Sequence, residues 1–133
     1  MPADASVRPL QSGERVSVMS TTILRLDGPP RWEACGPQPD RILEGHPAHR
    51  AWNAFTDASG RFHCGRWSSS PGRWRVRYTE NELCVMTAGR VVIEDTCGTR
   101  ETFSAGDAFV VPAGFEGTWT VTEPCSKVYA IFE

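Results

Sequence analysis

The sequence predicts a mainly β chain whose region from Arg61 onward folds as an antiparallel barrel or sandwich. Three observations carry this. Short runs rich in Val, Ile, Trp, Tyr, Phe and Thr follow one another closely, turn residues separate them, and neither a helix-period segment nor a solenoid-type repeat interrupts them. The chain has 133 residues, 40% of them hydrophobic and 23% charged, which is enough for one domain with one core and excludes wholesale disorder.

Taken in order, the expected strands are 61–68, 73–79, 82–87, 90–95, 101–103, 108–111 and 118–121, with 127–132 closing the set. Turns are expected at 79–81, 88–89, 96–99, 105–107 and 112–117, where Gly, Pro, Asn and Asp collect. The run RWRVRY alternates strictly: Trp74, Val76 and Tyr78 share one face, and Arg73, Arg75 and Arg77 the other. The arginine face is expected to be solvated or to meet a second subunit. In the next strand Glu82, Cys84 and Met86 share one side and Leu83, Val85 and Thr87 the other. Neither set is plainly polar, so burial on both faces is expected.

Residues 1–60 read as an extension that packs on the barrel or on a second subunit. They carry DGPPR and CGPQPD, in which proline removes ladder donors. Within them, 21–26 (TTILRL) is expected as an edge strand and 49–55 (HRAWNAF) as a short helical turn.

A net charge of −2 gives no basic field for a phosphate backbone or an anionic bilayer, so neither a nucleic acid nor a membrane is expected as partner. No apolar run approaches the roughly 20 residues of a membrane span, and residues 1–10 lack the apolar core of a leader. A cytoplasmic protein is expected. The five cysteines include no C-x-x-C pair and read as reduced thiols.

Two motifs carry a resemblance. GDAFVVPAG (106–114) matches G-x5-P-x-G, and ELCVMTAG (82–89) matches E-x6-G; together they resemble the two motifs of the cupin superfamily. With the tail EPCSKVYAIF, the stretch 61–133 is similar to the small cupins grouped with the ureidoglycine aminohydrolase cupin domain. The resemblance implies a cupin-type antiparallel β-barrel, the double-stranded β-helix or jelly roll, and a homodimer. Metal-binding cupins also supply two histidines from the first motif, which fall here at Val76 and Tyr78 or at Arg75 and Arg77. A histidine of the second motif falls at Gly117. Of the usual ligands only Glu82 remains, so no metal and no other cofactor is expected.

The family position of Glu82 points into the barrel. It is the leading candidate for acid–base work or for a polar anchor, with Lys127 as catalytic partner or as the other half of a structural ion pair. Trp67, Trp74, Tyr78, Cys84, Trp119 and Tyr129 are the candidate ligand-binding wall, the alternative being a barrel filled by its own side chains. Cys84 lacks an evident base and reads more readily as packing. His46 and His49 read as surface residues rather than metal ligands. The expected function is metal-independent binding of a small polar molecule, for which the resemblance implies a ureide or amino-acid derivative. A non-catalytic sensing or assembly module is the alternative, and a metal site rebuilt from Glu82, Cys84 and His63 is a third. Fold likeness alone establishes no reaction.

Overall fold

Two long strands organise the sheet in this computed structural model, which describes residues 21–133. The strands are β1 (Glu33–Gly36), β2 (Ile42–Gly45), β3 (His49–Thr56), β4 (Phe62–Ser69), β5 (Gly72–Arg77), β6 (Asn81–Asp95), β7 (Arg100–Ser104), β8 (Ala108–Val111) and β9 (Glu116–Phe132), with a 3-10 turn at Pro39–Arg41. All are antiparallel. β6 and β9 pair along nearly their whole length, from Asn81 opposite Phe132 to Asp95 opposite Gly117. The far edge of β9 takes β4 on its C-terminal half and β5 on its N-terminal half. The far edge of β6 takes β8 and then β7. The sheet curls on itself as in a cupin-type fold, with order β1-β3-β4-β9-β5-β2 along one side.

Runs 82–87 and 90–95 are therefore one strand. Ala88–Gly89 is a bulge inside it rather than a turn, with register shifts between Met86, Ala88, Arg90 and Val91. Gly89 takes φ +77°, and a Cβ there would lie 2.1 Å from the carbonyl oxygen of Pro124. Pro124, which has no N–H to give, occupies the facing stretch of β9, so 118–121 and 127–132 also join into one strand.

Two expectations for the first half are corrected. Residues 49–55 are a strand, not a helical turn: His49–Thr56 pairs with β4 from His49 opposite Ser69 to Thr56 opposite His63, and ladder bonding to an available edge overrides weak local preference. Residues 21–26 form no strand; Ile23 and Leu24 are exposed, and β1 takes the neighbouring edge of β3. β1, β2 and β3 all belong to the same sheet as the later strands.

The inner face gathers Trp67, Trp74, Val76, Tyr78, Cys84, Met86, Val91, Trp119, Val121, Tyr129 and Ile131 into one core. Burial of β6 on both faces is corrected as well. Glu82, Cys84 and Met86 point inward, but Leu83 is 45% exposed and Thr87 is exposed, because no layer covers the outer face of the sheet. The arginine face of β5 is solvated, with Arg73 paired to Glu44 at 3.2 Å and Arg75 donating to the Asp40 carbonyl at 3.1 Å. No helix among the described residues is long and apolar enough to cross a membrane.

Among the left-handed glycines, Gly60 and Gly89 separate strain from collision. Gly60 has φ +74° and nothing within 4 Å of a Cβ, so Gly60→Ala is expected to cost about 1 kcal/mol. Gly89→Ala meets the same strain plus the Pro124 carbonyl, so about 3 kcal/mol or more is expected from urea melts. Equal losses at the two positions would contradict a bulge locked by backbone contact.

Candidate functional site

Strand alternation brings all eight residues singled out from the sequence to the inside of the curl. Glu82, Lys127, Trp67, Trp74, Tyr78, Cys84, Trp119 and Tyr129 are each at most 1% exposed. Register explains the meeting: Lys127 of β9 lies between Trp67 of β4 and Met86 of β6, Tyr129 lies between Gly65 and Cys84, and Trp74 of β5 faces Trp119. From its place in the ladder the long Lys127 side chain runs along the interior to Glu82.

The Lys127 ammonium donates to Glu82 Oε2 at 2.8 Å, and the Tyr78 hydroxyl donates to Glu82 Oε1 at 2.8 Å. Lys127 Nζ also lies 3.6 Å from Cys84 Sγ and sits over the rings of Trp67 and Trp119, 4.6 and 4.5 Å from their centroids. Burial works to lower the lysine pKa, while the Glu82 carboxyl that accepts its hydrogen bond raises it, and it ends above the ordinary lysine value. Burial also pushes the Cys84 thiol upward, with Glu82 adding to the effect, so the thiol stays protonated. A protonated thiol is no nucleophile, and Cys84 packs in the core.

Three residues of the interior escaped the sequence reading. His49, expected at the surface, is 3% exposed and packs edge-on to Trp67 and Trp74 at 5.0 and 4.4 Å. Burial, then the charge of Lys127, lowers its pKa to about 3, so the imidazole is neutral. Asn53 accepts from the Tyr129 hydroxyl at 2.7 Å and donates to Thr56 Oγ1 at 2.9 Å, and Thr56 shares a hydrogen bond with His63 Nδ1 at 2.9 Å. Gly65 makes room for this chain, since a Cβ there would lie 2.9 Å from the Tyr129 oxygen. A lone glycine inside a strand pattern was the available signal. Glu80, on the same side as Glu82, is 1% exposed and has an unpartnered Oε2.

Metal is not accommodated by these side chains. Val76 is buried hydrocarbon, and Tyr78 is committed to Glu82. A Cβ at Gly117 would lie 2.0 Å from the Glu94 carbonyl oxygen, which leaves no place for a side chain there. Glu82, Cys84 and His63 are not gathered around a common point: no group of three or more His, Cys, Asp or Glu among the described residues is arranged to hold an ion. The cation beside Glu82 is the ammonium of Lys127. The arrangement can offer a ligand a fixed charge, a carboxylate with two bound donors, and aromatic walls.

Burial pushes the Glu80 carboxyl up to about 7, with the Glu82 carboxylate adding to the effect. The unfolded chain gives up this proton first, so Glu80 contributes a loss of up to about 3 kcal/mol as pH rises from about 4.5 to about 7, opposed in the lower part of that window by His49, whose unfolded form takes up a proton as pH falls and whose buried form does not. Glu80→Gln cannot ionise, so its stability relative to the parent is expected to rise by about that amount across the window. Parallel melting curves against pH for the two proteins would show that folding leaves the Glu80 carboxyl at its unfolded pKa.

Residues 56–129 match the family of EutQ-like cupin domains. Among solved structures, a Pseudomonas syringae pv. tomato protein of unknown function from the DUF861 family is 28% identical, over 75% of this chain and 43% of its own, with a TM-score of 0.70. The chain thus spans less than half the length of that relative. The Clostridium difficile EutQ protein is 18% identical over 65% of this chain and 63% of its own, TM-score 0.59. A putative ethanolamine utilization protein Q from Salmonella typhimurium, 12% identical over 78% and 95% at the same TM-score, shares the fold. No curated protein matches the chain. The family match covers more than half of the sequence and includes the strands that carry Glu82 and Lys127: the chain belongs to the EutQ-like cupin domains of the cupin superfamily.

Proposed function

We propose that the protein binds a small polar molecule inside its barrel without a metal, with Glu82 and Lys127 as the charged anchors. One observation carries the reading. Four buried polar atoms lack partners, namely the indole nitrogens of Trp67, Trp74 and Trp119 and Nε2 of His49. Their rings form one contiguous cluster with centroids 4.4–6.2 Å apart, beside Lys127. An unmet buried donor costs about 1–3 kcal/mol, so several in one cluster favour a guest rich in oxygen acceptors. A ureide or amino-acid derivative bearing a carboxylate has that chemistry, and this is the finer likeness, to the ureidoglycine aminohydrolase cupin domain, that the sequence raised. Tyr78 and Lys127 within hydrogen-bond reach of Glu82 supply the positioned partners that acid–base chemistry needs. His49 lies on β3, beside the edge strand β1.

A second reading has its own support. Hydrogen bonds from Tyr78 and Lys127 engage both oxygens of Glu82, which suits a non-catalytic module whose ion pair is scaffolding. Glu82→Gln, Lys127→Met and the double variant distinguish the two, with N-carbamoylglycine and glycine as probes in thermal shift and calorimetry. The proposal expects N-carbamoylglycine to raise the melting temperature of the parent, and Glu82→Gln, which also lowers stability by leaving the buried Lys127 ammonium without its anion, to abolish that rise. A loss of about 3–5 kcal/mol in the single variant, largely restored in the double, with no response to either probe, would leave Glu82 as scaffolding.

The reading includes the homodimer. The surface that suits it is the uncovered outer face of β4, β9, β6 and β8, where Phe62 lies opposite Phe132, and Leu83 lies between Ala130 and Val110. Val110 is 62% exposed and Phe132 49%. The Arg61 guanidinium lies over the Phe132 end of this stripe, 4.7 Å from the ring centroid, and two copies related by a twofold axis would cover each other's apolar residues. Light scattering is expected to give twice 14.7 kDa for the parent and a single chain mass for Val110→Glu. A parent that already runs as a single chain would remove the dimer from the reading.

A further inference from the structure

A second site lies outside the barrel. A cleft of about 490 Å³ opens on the outer face of β3, β4 and β9, within the roughly 300–1,000 Å³ of small-molecule pockets. Arg50 stands opposite Ser68 on the neighbouring strand, and Ser68 stands opposite Ser126 on the next, so alternation sends these side chains to the same outer face. Arg66, two residues from Ser68, joins them. Trp32, just before β1, lies across the arginines, with the guanidinium carbons of Arg50 and Arg66 at 4.9 and 5.9 Å from its ring centroid.

The charges in this cleft are not balanced. Among the described residues no acidic one lines it. The Arg50 guanidinium forms no hydrogen bond or ion pair with any described residue, and its contact is with the Trp32 ring. Arg66 donates from Nη1 to the Gly28 carbonyl at 3.1 Å, but its Nε is buried and unpartnered. Two like charges a ring apart repel, and a buried guanidinium N–H without an acceptor is costly. A chain of net charge −2 that nonetheless places two arginines around one aromatic ring, with the Asp27 carboxylate that Arg66 feels already paired to Arg25, has the features of an anion receptor. Guanidinium forks match the oxygen spacing of phosphate and carboxylate, and serine hydroxyls add neutral donors.

We infer that Arg50 and Arg66, steadied by Trp32, form a receptor for an oxyanion, with Ser68 and Ser126 at its rim. The shared chemistry is a bidentate phosphate or carboxylate group on a small molecule. This site stands apart from the barrel interior, and its fate is independent of Glu82 and Lys127.

Isothermal titration and Trp fluorescence with inorganic phosphate and with malonate test it at low ionic strength, chloride serving as the control anion. Saturable binding of phosphate or malonate is expected, with Arg50→Gln weakening it roughly tenfold or more and Arg66→Gln at least as much, as for the loss of a charged hydrogen bond. Whichever anion binds more tightly names the group the receptor takes. Arg50→Gln breaks no hydrogen bond in the structure, so it should melt as the parent does and keeps the test meaningful if Arg66→Gln folds poorly. Binding that is no stronger than chloride's, or that both variants retain, would overturn the inference. So would a parent dimer that Arg50→Gln converts to a single chain, since the arginines would then belong to a contact between copies.

Discussion

A lysine and a glutamate fully withdrawn from water constrain everything around them. Either charge alone in this interior would be driven to neutrality, and each is kept by the other. Their meeting requires β9 and β6 in one register, since a slip of one residue would turn Lys127 or Glu82 to the outside. It also sets the state of its neighbours: the ammonium helps keep His49 neutral, and Tyr78 is oriented by the carboxylate. Replacing a buried pair with hydrocarbon of similar volume is often neutral or stabilising, so the pair is weak evidence for a stability role and better evidence for specificity or chemistry.

Much of this interior was legible in the residue pattern. Period-two alternation fixed the faces of β5 and β6, and the first motif together with the tail EPCSKVYAIF put Glu82 and Lys127 on strands that close toward each other. Where the reading failed, the deciding partner was distant in sequence. HRAWNAF has no strong local preference, and it becomes a strand because β4 offers an edge. Ala88–Gly89 resembles a turn, yet it is a bulge because Pro124 lies across from it, thirty-five residues further on. Leu83 and Val85 suggested a covered face, but covering depends on a layer that strand periodicity does not encode. Glu80 was passed over because an acidic residue beside a turn is ordinarily solvated, and only closure of the curl buries it.

The family comparison and the interior complement each other. Membership of the EutQ-like cupin domains accounts for the motifs and the curl, whereas the side chains at the ligand positions of metal-binding cupins have been given to other tasks. Gly117 has become a point of backbone contact, Val76 a core residue and Tyr78 a donor to Glu82. Positive charge is thus covalently part of the chain rather than recruited from solution.

The central position of β9 has a consequence for how the protein comes into being. β9 bonds to β4, β5 and β6, so all three wait for a segment that leaves the ribosome after them. Until it arrives, three strand edges stand open and the lysine that neutralises Glu82 has not been made. Closure then joins residues far apart along the chain, a topology that folds slowly and leaves the open edges available to other nascent chains. Factors that shield emerging β-strands should matter more to the yield of this protein than to its stability once closed.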